Sequence, residues 1–125
     1  MHMKIVNLSE AKRMSFPSSR ETSVLTGEGL LPTQNFTAGY VVVQPGGKVP
    51  LHSHSNEEVY IIMHGTARMT IKYEEATMEA VSAVYIPSNA DHTLLNVGGD
   101  ELIFMFIYSP AGVVDHWSEE MSGDL

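Results

Sequence analysis

Apolar and polar residues alternate along this chain in short runs at a period of two, the pattern of strands with one face in a core. After a polar opening, "SVLT" and "NFTAGYVVV" read as strands, followed by the turn "QPGGK" and the segment "VPLHSH". Pro50 in that segment cannot donate to a ladder, which predicts a sheet edge or a bulge. "EVYIIM" and "ARMTIKY" flank "HGT", where Gly65 suits a backbone of positive φ, so the pair is expected to form a hairpin. "TMEAV", "AVYIP", "HTLLNV" and an apolar run from Leu102 to Tyr108 follow, separated by the turns "SNAD" and "GGD". Roughly ten strands without interleaved helices predict an all-β antiparallel sandwich or small barrel. The run from Leu102 to Tyr108 suits a strand buried on both faces and is far too short to cross a bilayer as a helix. Beyond Pro110, Val113, Trp117 and Met121 recur every four residues, which predicts a short helix laying an apolar stripe on the barrel, or an ordered tail.

The length of 125 residues is that of one domain, expected to span residues 1–125, with 43% hydrophobic and 18% charged residues as in ordinary globular proteins. Cysteine is absent, so any tightly held metal must use nitrogen and oxygen ligands. The net charge of −8, with seven scattered Lys and Arg, argues against nucleic acid and anionic membranes as partners. It favours small neutral or singly anionic ligands. The opening "MHMKIVNLSEAKR" lacks the apolar segment of a secretory signal, and a cytoplasmic location is expected.

Chemistry concentrates in "GGKVPLHSHSNEEVYIIMHG". His52 and His54 point to the same side of an extended strand, and Glu58 shares their parity where Glu57 does not. Taken alone, two such histidines are better explained as solvent-facing or hydrogen-bonded residues. Three donors still lack the rigidity of a closed cage, and His92, which opens a later strand after a Pro-containing turn, is the best candidate for a fourth. His64 is expected in an exposed turn, His116 on a surface tail (a lid over the barrel mouth being the alternative), and His2 in a disordered end. Glu74 and Glu75 read as a solvated turn, and Met63, Met69, Met78 and Met105 as core filler.

The stretch resembles the first motif of the cupins: Gly46, five residues, His52 and His54, three residues, Glu58, six residues, Gly65. Pro87, Asn89, His92 and Asn96 fall in the register of the second motif, so the two motifs cover 46–65 and 81–96. Val81 and Asn89 stand where that motif usually has glycines. Asn tolerates positive φ and Val does not, so the turn before "AVYIP" is expected to differ from the family's. The resemblance implies a double-stranded β-helix, or jelly-roll barrel, in which His52, His54, Glu58 and His92 bind one divalent transition metal: Fe, Mn, Ni, Zn or Co.

Four protein ligands leave one or two positions open on a metal that accepts five or six, which permits catalysis. Iron would suit a dioxygenase, and the other ions Lewis-acid isomerase or lyase chemistry on a small polar or carbonyl substrate. Tyr60, inward by parity with Glu58, is a candidate proton donor. The competing reading is a non-catalytic module that senses a small ligand such as a sugar. A homodimer is expected, with the strand from Leu102 to Tyr108 or the N-terminal strands extending the partner's sheet.

Overall fold

Alternation along the chain becomes alternation of burial in the computed structural model, which describes residues 3–114 and 116–123. Ten strands form: β1 (Lys12–Phe16), β2 (Arg20–Val24), β3 (Thr37–Val43), β4 (Lys48–His52), β5 (Glu57–His64), β6 (Thr66–Ile71), β7 (Glu74–Glu79), β8 (Ser82–Ile86), β9 (His92–Asn96) and β10 (Leu102–Ser109). A helix, α1 (His116–Ser122), follows. In β3 and β9 every second side chain is buried, so a single face of each strand supplies the core. The strands divide into a six-stranded sheet, ordered β1-β2-β3-β10-β5-β8, and a four-stranded sheet, ordered β4-β9-β6-β7, with every pair of strands antiparallel. Val41, Val43, Ile62, Ala67, Leu94, Leu102 and Phe104 from the two inner faces meet in one core. This is a jelly roll, the all-β architecture read from the sequence. No helix among the described residues is long and apolar enough to cross a membrane.

The segments flanking Gly65 do not form the expected hairpin. β5 lies in the six-stranded sheet and β6 in the four-stranded one, and the chain passes between them at Gly65, where φ is +93°. A Cβ at this position would sit 2.8 Å from the Glu101 carbonyl oxygen, so the corner needs glycine for both its backbone conformation and its close approach. β10 corrects two further expectations. It lies between β3 and β5, so it has no free edge to offer a partner, and it buries only one face: Ile103 and Met105 are half-buried and Ile107 is exposed. The free edges of its sheet belong to β1 and β8.

β4 is an edge strand with an irregularity between Val49 and His52, as Pro50 predicted. Asn89 takes positive φ (65°) and Val81 does not, so the turn carrying Val81 keeps a conformation open to a β-branched residue. Of the four methionines expected in the core, Met69 is buried and Met78 packs against the core, whereas Met63 is exposed. Its place at the outer end of β5 explains that.

The apolar stripe expected on the C-terminal helix is absent. Val113 and Met121 are exposed, and α1 buries His116, Trp117 and Glu120 instead. Trp117 packs edge-on against Phe106 and Tyr108, at ring separations of 5.9 and 6.3 Å. The polar residues beside it are buried because the barrel mouth supplies partners for them, as described next.

Candidate metal centre and barrel pocket

The antiparallel pairing of β4 with β9 sets His52 directly opposite His92, with ring centroids 4.0 Å apart. His54, just past the end of β4, and Glu58, the first inward residue of β5, complete a cluster whose donor atoms all lie within 4.8 Å of one another. Opposite ligands of an octahedral ion with bonds of about 2.1 Å stand roughly 4.2 Å apart, so little contraction would close the cluster on one ion. Strand parity separates Glu58 from Glu57: the first is buried, and the second is exposed and accepts a hydrogen bond from the Tyr85 hydroxyl.

Backbone carbonyls fix the orientation of all three imidazoles. Nδ1 of His52 lies 2.7 Å from the Pro50 oxygen, Nδ1 of His54 3.0 Å from the Asn56 oxygen, and Nδ1 of His92 2.8 Å from the Ala90 oxygen. A carbonyl only accepts, so each Nδ1 carries a proton and donates it, which directs each Nε2 into the cluster, as an electron pair wherever the ring is neutral. Such outer hydrogen bonds hold metal-ligating histidines in place elsewhere.

The Nε2 atoms converge on one carboxylate oxygen. Glu58 Oε1 is 3.1 Å from Nε2 of His54 and 3.5 Å from Nε2 of His92. Burial opposes the charged form of His54, but the Glu58 hydrogen bond and charge outweigh it and raise the pKa. Burial likewise pushes Glu58 up, and the hydrogen bond from His54, with the His92 ring close by, more than reverses this. His54 can therefore offer Glu58 a proton. His92 Nε2 is buried without a hydrogen-bond partner, an electron pair facing a carboxylate with no cation between them. The donor set and this orphaned atom fit a divalent ion of the nitrogen- and oxygen-binding class.

Two features escaped the sequence reading. His116 is no surface residue: its ring stacks on His52 with centroids 3.6 Å apart and an interplanar angle of 17°, and its Nδ1 is buried without a partner. Burial, reinforced by the neighbouring histidines and, for His116, by Arg20, depresses the pKa of His52 to about 2 and that of His116 to about 3, so both rings are neutral at ordinary pH. His2 lies outside the described residues. The second feature is a buried ion pair. Arg20 of β2 donates to Glu120 of α1 through both terminal nitrogens, at 2.9 and 2.6 Å, and Ser18 donates to the same carboxylate at 2.5 Å. The spacing of His116 and Glu120, four residues apart on one helical face, was the available signal for the inward face of α1.

Tyr60 lies deep in the barrel, 4.7 Å from Phe104 and 6.1 Å from His92 between ring centroids. Burial, then the Glu58 charge, raises its pKa well above the ordinary phenol value, so the hydroxyl holds its proton. His64 is exposed, with Nδ1 donating to the Glu101 carbonyl, as expected of a turn residue. With α1 in place, the cavity beside Glu58, Tyr60, Arg20 and His116 measures about 20 Å³, room for one water. Trp117 separates it from an open hollow of about 440 Å³ between β1, β2 and the segment 111–113.

The family model described as "Cupin domain" matches residues 39–108, which hold all four clustered residues. Auxin-binding protein 1 of Arabidopsis thaliana is 31% identical over 74 residues, 52% of this chain and 37% of that protein. The chain spans less than half the length of the first curated relatives it matches. Among solved structures, KdgF from Halomonas sp. superimposes with a TM-score of 0.74 at 14% identity, covering 94% of this chain and 99% of that one. A predicted oxalate decarboxylase from Thermotoga maritima gives 0.72 at 21% identity, covering 84% and 97%. At these identities the two structures establish a shared fold.

Proposed function

From the premise that this chain belongs to the cupins, we propose that it is a metal-dependent enzyme. Its four ligands are His52, His54, Glu58 and His92, and it acts on a small polar substrate that carries a carbonyl or carboxylate group. The observation that carries this reading is the buried, unpartnered Nε2 of His92 facing the Glu58 carboxylate. Two groups that both lack a proton to share repel unless a cation joins them, and such an arrangement is costly to keep in a protein interior. A divalent ion held by His52, His54, Glu58 and His92 would keep about one positive charge and would supply Lewis-acid polarisation of a substrate carbonyl.

The rest belongs to the chain's own side chains. Tyr60, its proton held by burial beside Glu58, serves as a proton donor to a substrate oxygen. Arg20, Thr22 and His116 add polar groups to a wall otherwise built from Phe104, Phe106 and Trp117. Convergent polar groups favour Lewis-acid isomerase or lyase chemistry on a small acid over attack by O₂ on an apolar substrate. The Thermotoga neighbour, described as a predicted oxalate decarboxylase, is compatible with that substrate class. One observation favours the competing reading of a ligand-sensing module: the cavity, as closed by α1, is about 20 Å³, too small for a turnover-ready site.

Metal analysis of protein purified without an affinity metal column tests the first step, with about one transition metal per chain expected. Turnover of the loaded protein on a panel of diketones, catechols, thiols and sugar acids tests the second. Full metal occupancy with no turnover on any of them would favour the sensing module, and occupancy unchanged by His52→Ala and Glu58→Gln together would remove the metal assignment.

We also propose a cytoplasmic homodimer of single-domain chains, joined through the edge of β1, the N-terminal strand whose outer ladder is unpaired within the chain. A sedimentation coefficient of a monomer at tens of micromolar protein would refute the dimer.

A further inference from the structure

We propose that Arg20 is the recognition site for a carboxylate of the substrate, and that Glu120 of α1 occupies this site as an internal stand-in while the pocket is closed. The geometry of the arginine is set by the barrel alone. Nε donates to the Thr22 hydroxyl at 3.3 Å, one terminal nitrogen donates to the Lys48 carbonyl at 3.3 Å, and the guanidinium carbon stacks 4.1 Å above the Phe16 ring. None of these contacts involves α1. What α1 adds is a carboxylate gripped by both terminal nitrogens, the two-pronged geometry in which a free carboxylate would also bind.

The guanidinium lines the same small cavity as Glu58, Tyr60 and His116. A carboxylate seated on it therefore presents the remainder of its molecule to the four-residue cluster. With α1 docked, only about 20 Å³ is left there, so a substrate reaches the cluster only if α1 moves and Glu120 surrenders its partner. The chain is built for that exchange. Tyr108 donates to the Gly112 carbonyl, and the Gly112 amide donates to the Thr37 hydroxyl at 2.9 Å, which pins the chain up to Gly112. Beyond it Val113 is exposed and Val114 is buried in the core, and α1 is held by Trp117, His116 and the Glu120 carboxylate. A buried ion pair that loses one member is costly, so Glu120 leaves readily only when another carboxylate replaces it. The exchange ties opening of the pocket to the charge of the incoming ligand.

The chemistry around the bound acid rests on the metal reading; the anion subsite does not. The test uses malonate as probe and the single tryptophan, Trp117, as reporter, since departure of α1 takes that ring away from Phe106 and Tyr108. Malonate is titrated into the full-length chain, metal-free and metal-loaded, and tryptophan emission is followed. The wild type should show a saturable red shift in both forms. Glu120→Gln should lower the half-saturating malonate concentration at least about tenfold, because the internal competitor loses its charge. Arg20→Gln combined with Glu120→Gln leaves two neutral amides to pair, keeps the fold by circular dichroism, and should abolish the response. Saturation unchanged in Glu120→Gln, or a response that persists in the double variant, would overturn the proposal. An Arg20-dependent response in protein that binds no metal refutes the metal reading alone, and one-to-one metal binding with malonate indifferent to Arg20 refutes the subsite alone.

Discussion

Replacing Glu58 by glutamine separates the two roles that a buried carboxylate among histidines can have. In the metal-free chain its oxygen accepts a hydrogen bond from His54 and faces the unpartnered Nε2 of His92. An amide of the same shape can donate to His92, and His54, relieved of the charge, reverts to the neutral ring. Replacing a buried charged pair by groups that satisfy each other is close to neutral, so the metal-free protein should change by less than about 1 kcal/mol. With metal the outcome differs. A structural zinc site contributes ~10–16 kcal/mol at neutral pH, or ~2.5–4 kcal/mol for each of four ligands, which is about two to three powers of ten in affinity. At a fixed metal concentration well above the wild-type dissociation constant, the stability conferred by metal should then fall by about 3 kcal/mol, a loss of roughly 10 °C in the metal-induced rise of the melting temperature. Paired thermal melts of wild type and Glu58→Gln, each with chelator and with zinc, give all four values. Equal loss of stability in the two conditions would make Glu58 a structural residue, and an undiminished zinc-induced rise would place the ion elsewhere.

The remaining predictions concern protons and hydrogen bonds. His52 and His116 titrate in the folded chain near 2 and 3, below their unfolded value of 6.5, so the unfolded chain binds protons that the folded chain refuses. Stability of the metal-free protein should therefore fall as pH drops below 6.5, by ~1.4 kcal/mol per pH unit for each ring. His54, with its pKa raised, contributes stability that is complete below 6.5 and lost only as pH rises through the folded value, so it does not cancel this slope. Urea midpoints at pH 7 and 5 report the difference, and a midpoint that rises on acidification would contradict it. Asn96, in register with the second motif, donates to the carbonyls of Val43 and Asp100 and accepts from the Gly98 amide, each at 2.9 Å. Asn96→Ala should cost about 2–4 kcal/mol by denaturant titration with metal affinity unchanged, and a loss of affinity without loss of stability would assign it to the site instead.

Much of the site was legible because it is local and periodic. His52, His54 and Glu58 lie within seven residues, parity distinguishes Glu58 from Glu57, and one strand pairing brings in His92. The assignment of strands to two sheets was not legible in the same way. β5 and β6 carry the alternation of a hairpin, and the crossing at Gly65 depends on the Glu101 backbone, a contact 36 residues away. The face of α1 misled for a related reason. Val113, Trp117 and Met121 satisfy a helical apolar period, yet the barrel mouth offers an arginine and a histidine, so charge complementarity and ring stacking outweigh the apolar stripe. Arg20 looks exposed in "SSRETSV" because its partner lies 100 residues along the chain.

That distant pairing changes what the four-residue cluster is. Considered alone, His52, His54, Glu58 and His92 form a cluster that could hold an ion and receive any small ligand that enters the barrel. With α1 docked, His116 covers His52 face to face and Glu120 neutralises the one arginine on the pocket wall, so the cluster faces a space of about 20 Å³. Trp117 anchors α1 on Phe106 and Tyr108, and the contacts beside it, Glu120 with Arg20 and His116 with His52, are ones that a polar ligand can replace. Burying a histidine and a carboxylate where the sequence pattern would place valine and methionine lowers the affinity of the helix for an empty barrel relative to an apolar plug of the same size. It also makes that affinity depend on what else carries a negative charge into the pocket. On the reading proposed above, selectivity for acids arises at entry, from the requirement that an incoming carboxylate take over Arg20.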